Sequence, residues 1–181
     1  MDTTELLAHP VRLRIVHALR GDREMTTTEL CARLPDTSKA TVYRHVDLLQ
    51  HGGVLEVASE QRVRGAVERR YRLRQENASI SAAAAAALTP DDHRRAFAIA
   101  MTALAAEFGA YLDRPGADPA GDLVGYRQHA IWLSPAELTD LIGELRAAIL
   151  PRLGHTPAPD RTQHLLSPIL FPIGDSRSSS R

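Results

Sequence analysis

Apolar residues recur at helical spacing through the first third of the chain. After His9-Pro10, residues Val11, Ile15, Ala18 and Leu19 make one stripe. Proline suits the first turn of a helix, and Gly21-Asp22 ends the run. Thr26 and Glu29 have the spacing of a capping box, so a short helix starts there. It stops at Leu34, because Pro35 lacks the N–H that would continue it. Thr37 or Ser38 then caps a second helix, over 38–51, with Val42, Val46 and Leu49 at i, i+4 and i+7. Gly52-Gly53 closes it. There the period changes from 3.6 to 2: residues 54–58 and 66–73 alternate apolar and polar, with Arg62, Arg64 and Gly65 between them.

Beyond residue 75 the pattern returns to helices. The alanine run 82–87 is compatible with a helix or with a connector. Thr89-Pro90-Asp91-Asp92 is a strong helix start: a cap, a proline at the first position, and acids at the positive end. The helix should reach Leu112 or Asp113. Along it Phe97, Met101, Leu104, Phe108 and Tyr111 are spaced 4-3-4-3, a seam suited to a partner helix. Residues 114–121 are a linker rich in Pro, Gly and Asp. Residues 126–133 read as a strand. Ser134 opens another helix with capping-box spacing, and Leu138, Ile142, Leu145 and Ile149 repeat the seam. Residues 164–173 are apolar and strand-like, confined to an edge by Pro168 and Pro172. Residues 174–181 read as a disordered, Ser-rich tail.

Short helix, turn, second helix, hairpin is the order of a winged helix-turn-helix. The expected fold is α+β and mainly helical: a DNA-binding domain over 1–75, then a helical dimerisation and effector region over 76–173 containing a short two-stranded element. With Val42, Val46 and Leu49 buried, the second helix turns Lys39, Ala40, Tyr43, Arg44 and Asp47 outward. Lys39, Tyr43 and Arg44 have donors for base edges or phosphates. Thr37, Ser38 and Thr41 at the helix start are expected at phosphates, and Arg62, Arg64, Arg69 and Arg70 in the hairpin at phosphates or in the minor groove. The plainer alternative is a solvated helix face and a hairpin whose arginines protect its edge.

Four segments carry a resemblance: Leu-Ala-His-Pro-Val-Arg-Leu-Arg-Ile-Val (residues 7–16), Thr-Val-Tyr-Arg-His-Val-Asp-Leu-Leu (41–49), Gly-Val-Leu (53–55) and Arg-Gly-Ala-Val-Glu-Arg-Arg-Tyr (64–71). Together they resemble the ArsR-type winged helix-turn-helix regulators over roughly residues 5–74. The resemblance implies duplex DNA as partner and regulation of transcription. It leaves the signal open, since members of that family sense metals, redox state and other cues. The paired cysteines of metal-sensing members are missing. Asp91, His93 and Glu107 resemble three of the four ligand positions of a helix-borne zinc site in some members, but Leu104 stands at the fourth.

Composition sharpens this picture. Net charge is +0, which excludes a generally polybasic coat. The charge is uneven, however: residues 1–75 hold 13 Lys and Arg against 10 Asp and Glu, the remainder 9 against 12. The basic half is the one with the reading pattern, as attraction to phosphates requires. Cys31 is the single cysteine, so one chain offers neither a disulfide nor a multi-thiolate metal site. Phosphate loops, nucleophile elbows and His-Glu-X-X-His spacing are missing, and His129, His155 and His164 are scattered. The expectation is a cytoplasmic, non-enzymatic regulator with no cofactor or metal and no membrane partner. Because one small reader covers one half-site, the seam Phe97–Tyr111 is assigned to a second copy rather than to packing within the chain. Tyr126, Trp132 and Phe171 either line a pocket for a small organic effector or simply fill a small core.

Overall fold

The computed structural model describes residues 6–63, 66–74 and 86–174. Three helices and a sheet form the N-terminal unit: α1 (Pro10–Leu19), β1 (Met25–Thr26), α2 (Thr27–Arg33), α3 (Lys39–His51), β2 (Leu55–Val63) and β3 (Ala66–Leu73). Two long helices follow, α4 (Pro90–Leu112) and α5 (Pro135–Leu153). The expected helix–turn–helix–hairpin order is therefore present. Arg64 and Gly65, most of the alanine run 82–87 and the tail beyond residue 174 lie outside the described residues.

Local chemistry sets the helix starts. At α2 the Thr26 side chain accepts the Glu29 N–H, and the Glu29 carboxylate accepts the Thr26 N–H. Thr89 and Asp92 at α4, and Ser134 and Glu137 at α5, make the same reciprocal pair. His9 caps α1, its Nδ1 accepting the Val11 N–H at 3.2 Å. The α3 C-terminus is closed by Gly52-Gly53. Gly53 has φ 74°, and a Cβ on Gly52 would lie 2.1 Å from the Leu6 side chain.

One aliphatic core serves the N-terminal unit. Ile15, Val16 and Leu19 of α1, Leu30 and Leu34 around α2, Val42, Val46 and Leu49 of α3, and Val54, Leu55, Tyr71 and Leu73 of the hairpin are all buried. The sheet has three strands in the order β1-β3-β2, all antiparallel. The strand β1 escapes the sequence pattern because it is two residues long. It pairs Met25 with Tyr71 and Thr26 with Arg70. A register shift between Val57 and Ser59 bends β2 away from ideal alternation.

The long helix α4 crosses α1, burying Ala103 completely and placing Glu107 beside Arg14. Part of α4 reaches a mean hydropathy of 1.2, so by length and composition alone this helix could cross a membrane. It is nevertheless docked on α1 by an ion pair, and Asp91, Asp92, Arg94 and Arg95 crowd its first turns.

The C-terminal region corrects one expectation. Neither 126–133 nor 164–173 forms a strand, and no strand occurs among residues 86–174. A strand needs a neighbour to take its N–H and C=O groups, and Pro168 and Pro172 cannot donate at all. The last segment instead returns to the N-terminal unit. Gln163 Oε1 accepts from Arg23 and Arg33, each at 2.6 Å, and Gln163 Nε2 donates to the His17 carbonyl at 3.0 Å.

Candidate nucleic-acid interface

Helix α3 is built as a two-sided element. Ser38 caps it, accepting the Thr41 N–H at 3.2 Å and sharing a 2.8 Å hydrogen bond with the Thr41 hydroxyl. Val42, His45, Val46 and Leu49 are buried. Lys39, Ala40, Tyr43, Arg44 and Asp47 are exposed, Tyr43 at 49%. Thr37 is half-buried at the turn. The structure thus brings Ser38, Lys39, Thr41, Tyr43 and Arg44 onto or beside one open helix face, which suits a major groove.

The hairpin is less available than its arginine count suggests. Arg69 pairs with Glu60 at 2.8 Å across the strands, while Arg72 and Arg74 both pair with Glu56, at 2.6 and 3.0 Å. The Glu56 carboxyl is held below the usual carboxylate range by these hydrogen bonds from Arg72 and Arg74. Arg70 is half-buried. It bonds the Glu24 carbonyl and the Glu29 carboxylate, tying β3 to the capping box of α2. The guanidinium expected at a phosphate thus also has partners within the chain, Glu29 lying on α2 next to β1. Arg62 is exposed near the hairpin tip. Arg64 lies outside the described residues.

Two groups at this site escape sequence reading. One is His45, 2% exposed in the middle of α3 and packed against His9 with ring centroids 4.2 Å apart. Neither ring nitrogen of His45 has a hydrogen-bond partner. Burial, and then the charges of His9, Arg12 and Arg44, lower its pKa to about 4, so the ring is neutral at pH 7. The other is Arg14, 2% exposed, whose Nη1 and Nη2 donate to Asp36 at 2.7 and 2.9 Å while Nε donates to Glu107 at 3.1 Å. Burial opposes the Arg14 charge. The hydrogen bonds to Asp36 and Glu107 outweigh it, so the pKa is raised. Asp36 is held low, chiefly by Arg14.

The remaining expected sites separate. Of the seam on α4, Phe97 is 50% and Phe108 39% exposed, while Met101, Leu104 and Tyr111 are half-buried. Phe108 contacts Tyr111 and, edge-on, Tyr126. Tyr126, Trp132 and Phe171 share no ring contact among the described residues, and all are exposed, Trp132 at 98%. They do not form a pocket within the chain, because the strands expected to carry them do not form. Asp91, His93 and Glu107 are not brought together either. Sixteen residues of one helix separate the outer two by ~24 Å at 1.5 Å per residue. Asp91 pairs with Arg94, and Glu107 with Arg14.

A family described as a helix-turn-helix domain matches residues 7–58, which span α1, β1, α2, α3 and the start of β2. No curated protein matches the chain. The N-terminal unit is therefore a helix-turn-helix domain, and match and geometry together support a DNA-binding regulator of transcription.

Proposed function

We propose that this chain is a cytoplasmic, non-enzymatic, ArsR-type repressor that binds a near-palindromic operator as a homodimer. The observation that carries the reading is the two-sidedness of α3. Its buried stripe fixes the helix to the domain, and the opposite face presents Lys39, Tyr43 and Arg44 beside the hairpin. In this reading α3 enters the major groove. Lys39, Tyr43 and Arg44 contact bases, and Thr37, Thr41, Arg62 and Arg64 contact phosphates. The second copy is proposed from the exposed part of the α4 seam and from α5, which has no buried residue. Half-sites one helical turn apart would match the two-fold of such a dimer. An effector site using Tyr126, Trp132 and Phe171 would need the second copy to close it.

One observation favours a second reading, a winged helix used for protein assembly. Acidic partners neutralise Arg69, Arg72 and Arg74, which lowers the attraction of the hairpin for phosphates. Selection of duplexes from a random pool by the purified chain, followed by titration at several salt concentrations, separates the two. Enrichment of a near-palindrome, with affinity falling as salt rises, is the expected result. A chain that enriches no sequence and binds no duplex at low salt is the assembly module.

A further inference from the structure

The Arg14 side chain joins three elements through one planar group. Its two terminal nitrogens hold both oxygens of Asp36, in the turn between α2 and α3, and its Nε holds Glu107 on α4. Asp36 lies two residues before Ser38, the cap of α3. A bidentate guanidinium–carboxylate pair fixes orientation as well as distance, because both groups are planar and the donors are rigidly forked. Buried ion networks add little net stability compared with apolar packing of the same volume. What the network does here is geometric: it ties the turn before α3 to α4 and so constrains the angle between them.

That angle has a consequence in a two-fold dimer joined through α4. The separation of the two α3 helices is then determined, in each copy, by how α3 sits relative to α4. We propose that Arg14, acting through Asp36 and Glu107, is the positioning residue that fixes the half-site spacing the dimer accepts. The inference rests on the proposed homodimeric DNA reading and deepens it. Arg14 itself is too buried to touch DNA.

The test uses the full chain and its selected operator. Variants of that operator move the half-sites one or two base pairs closer or further apart, and a single half-site serves as reference. The wild-type chain is expected to lose about tenfold affinity or more on each displaced operator. Glu107→Ala is expected to bind the whole set within about threefold, with single-half-site affinity close to wild type, while the unpaired Nε of buried Arg14 lowers the thermal midpoint. Glu107→Gln retains an acceptor for Arg14 Nε and should restore the sharp optimum. Asp36→Ala breaks the other end of the bridge from an exposed position and should broaden the spacing like Glu107→Ala. Wild-type spacing dependence in both Glu107→Ala and Asp36→Ala overturns the inference, as does a uniform loss of affinity that includes the single half-site. A wild-type chain that is monomeric or binds no duplex overturns the underlying reading, and the inference with it.

Discussion

At the scale of single residues, the outward face of α3 concentrates the chemistry. Arg44 is exposed one position before the buried His45, on the outward face of α3. A bidentate contact from arginine to guanine is worth roughly 1–3 kcal/mol of discrimination. Arg44→Ala should therefore lose affinity of that size for the selected operator and much less for unrelated duplex, measured at matched salt. Arg70→Ala should behave oppositely. Arg70 ties β3 to Glu29 and the Glu24 carbonyl, so its removal should lower the thermal midpoint before it changes sequence preference. A second residue-scale expectation concerns acid. The pKa of His45 is about 4 through burial and the charges of His9, Arg12 and Arg44, and that of His17 is about 4 through burial and Arg20. Both lie below the ordinary 6.5, so the unfolded chain takes up these protons first. Stability is then complete above pH 6.5 and falls as pH drops from 6.5 towards 4, by on the order of 1–3 kcal/mol for His45. Urea melts at pH 7.5 and pH 5 should show the drop, and His45→Leu should reduce it. None of this was legible from spacing. A histidine within the 42–46–49 stripe reads as polar until packing buries it. Arg14 finds its partners 22 and 93 residues away in sequence, beyond any local pattern.

Among elements, what was readable is what is local. All three capping boxes lie within four consecutive residues, and each starts a helix where its spacing requires. The hairpin followed from alternation. The missed strand β1 is defined only by pairing with β3, some 45 residues later, and two residues carry no period of their own. The strands expected at 126–133 and 164–173 fail for a related reason. Apolar alternation makes a segment able to pair, but among the described residues neither segment lies against a strand edge. The helix-ending glycine was also readable, though not its reason: Gly52 is needed for space, and Gly53 for its positive φ. Gly52→Ala should drive a methyl group into Leu6 and cost about 1–3 kcal/mol, as overpacking of a closed core does. Chemical denaturation of the variant checks this. Leu6→Ala in the same background should recover part of the loss by clearing the space.

Over the whole molecule the two halves are unequal. The N-terminal unit buries its large apolar side chains in one core, whereas Leu138, Ile142 and Leu145 on α5 stay 37–41% exposed with no residue of that helix buried. Apolar surface left in water costs about 25 cal/mol per Å2, so such a helix face gains from being covered. On α4 two faces have separate uses. Ala103 and Glu107 face α1, while Phe97 and Phe108, roughly a third of a turn around the helix, remain open. A second copy could cover Phe97 and Phe108 without disturbing the contact with α1. Met101→Asp would place a charge in the α4 seam, and Ile142→Asp would do so on α5, where an unpaired buried carboxylate costs roughly several kcal/mol. If the copies meet through α4, Met101→Asp is monomeric by light scattering and binds only single half-sites, whereas Ile142→Asp keeps the dimer. If they meet through α5, the two variants exchange behaviours. Wild-type molar mass and operator affinity in both variants would leave neither helix in the interface, and the homodimer proposed from these two faces would be wrong.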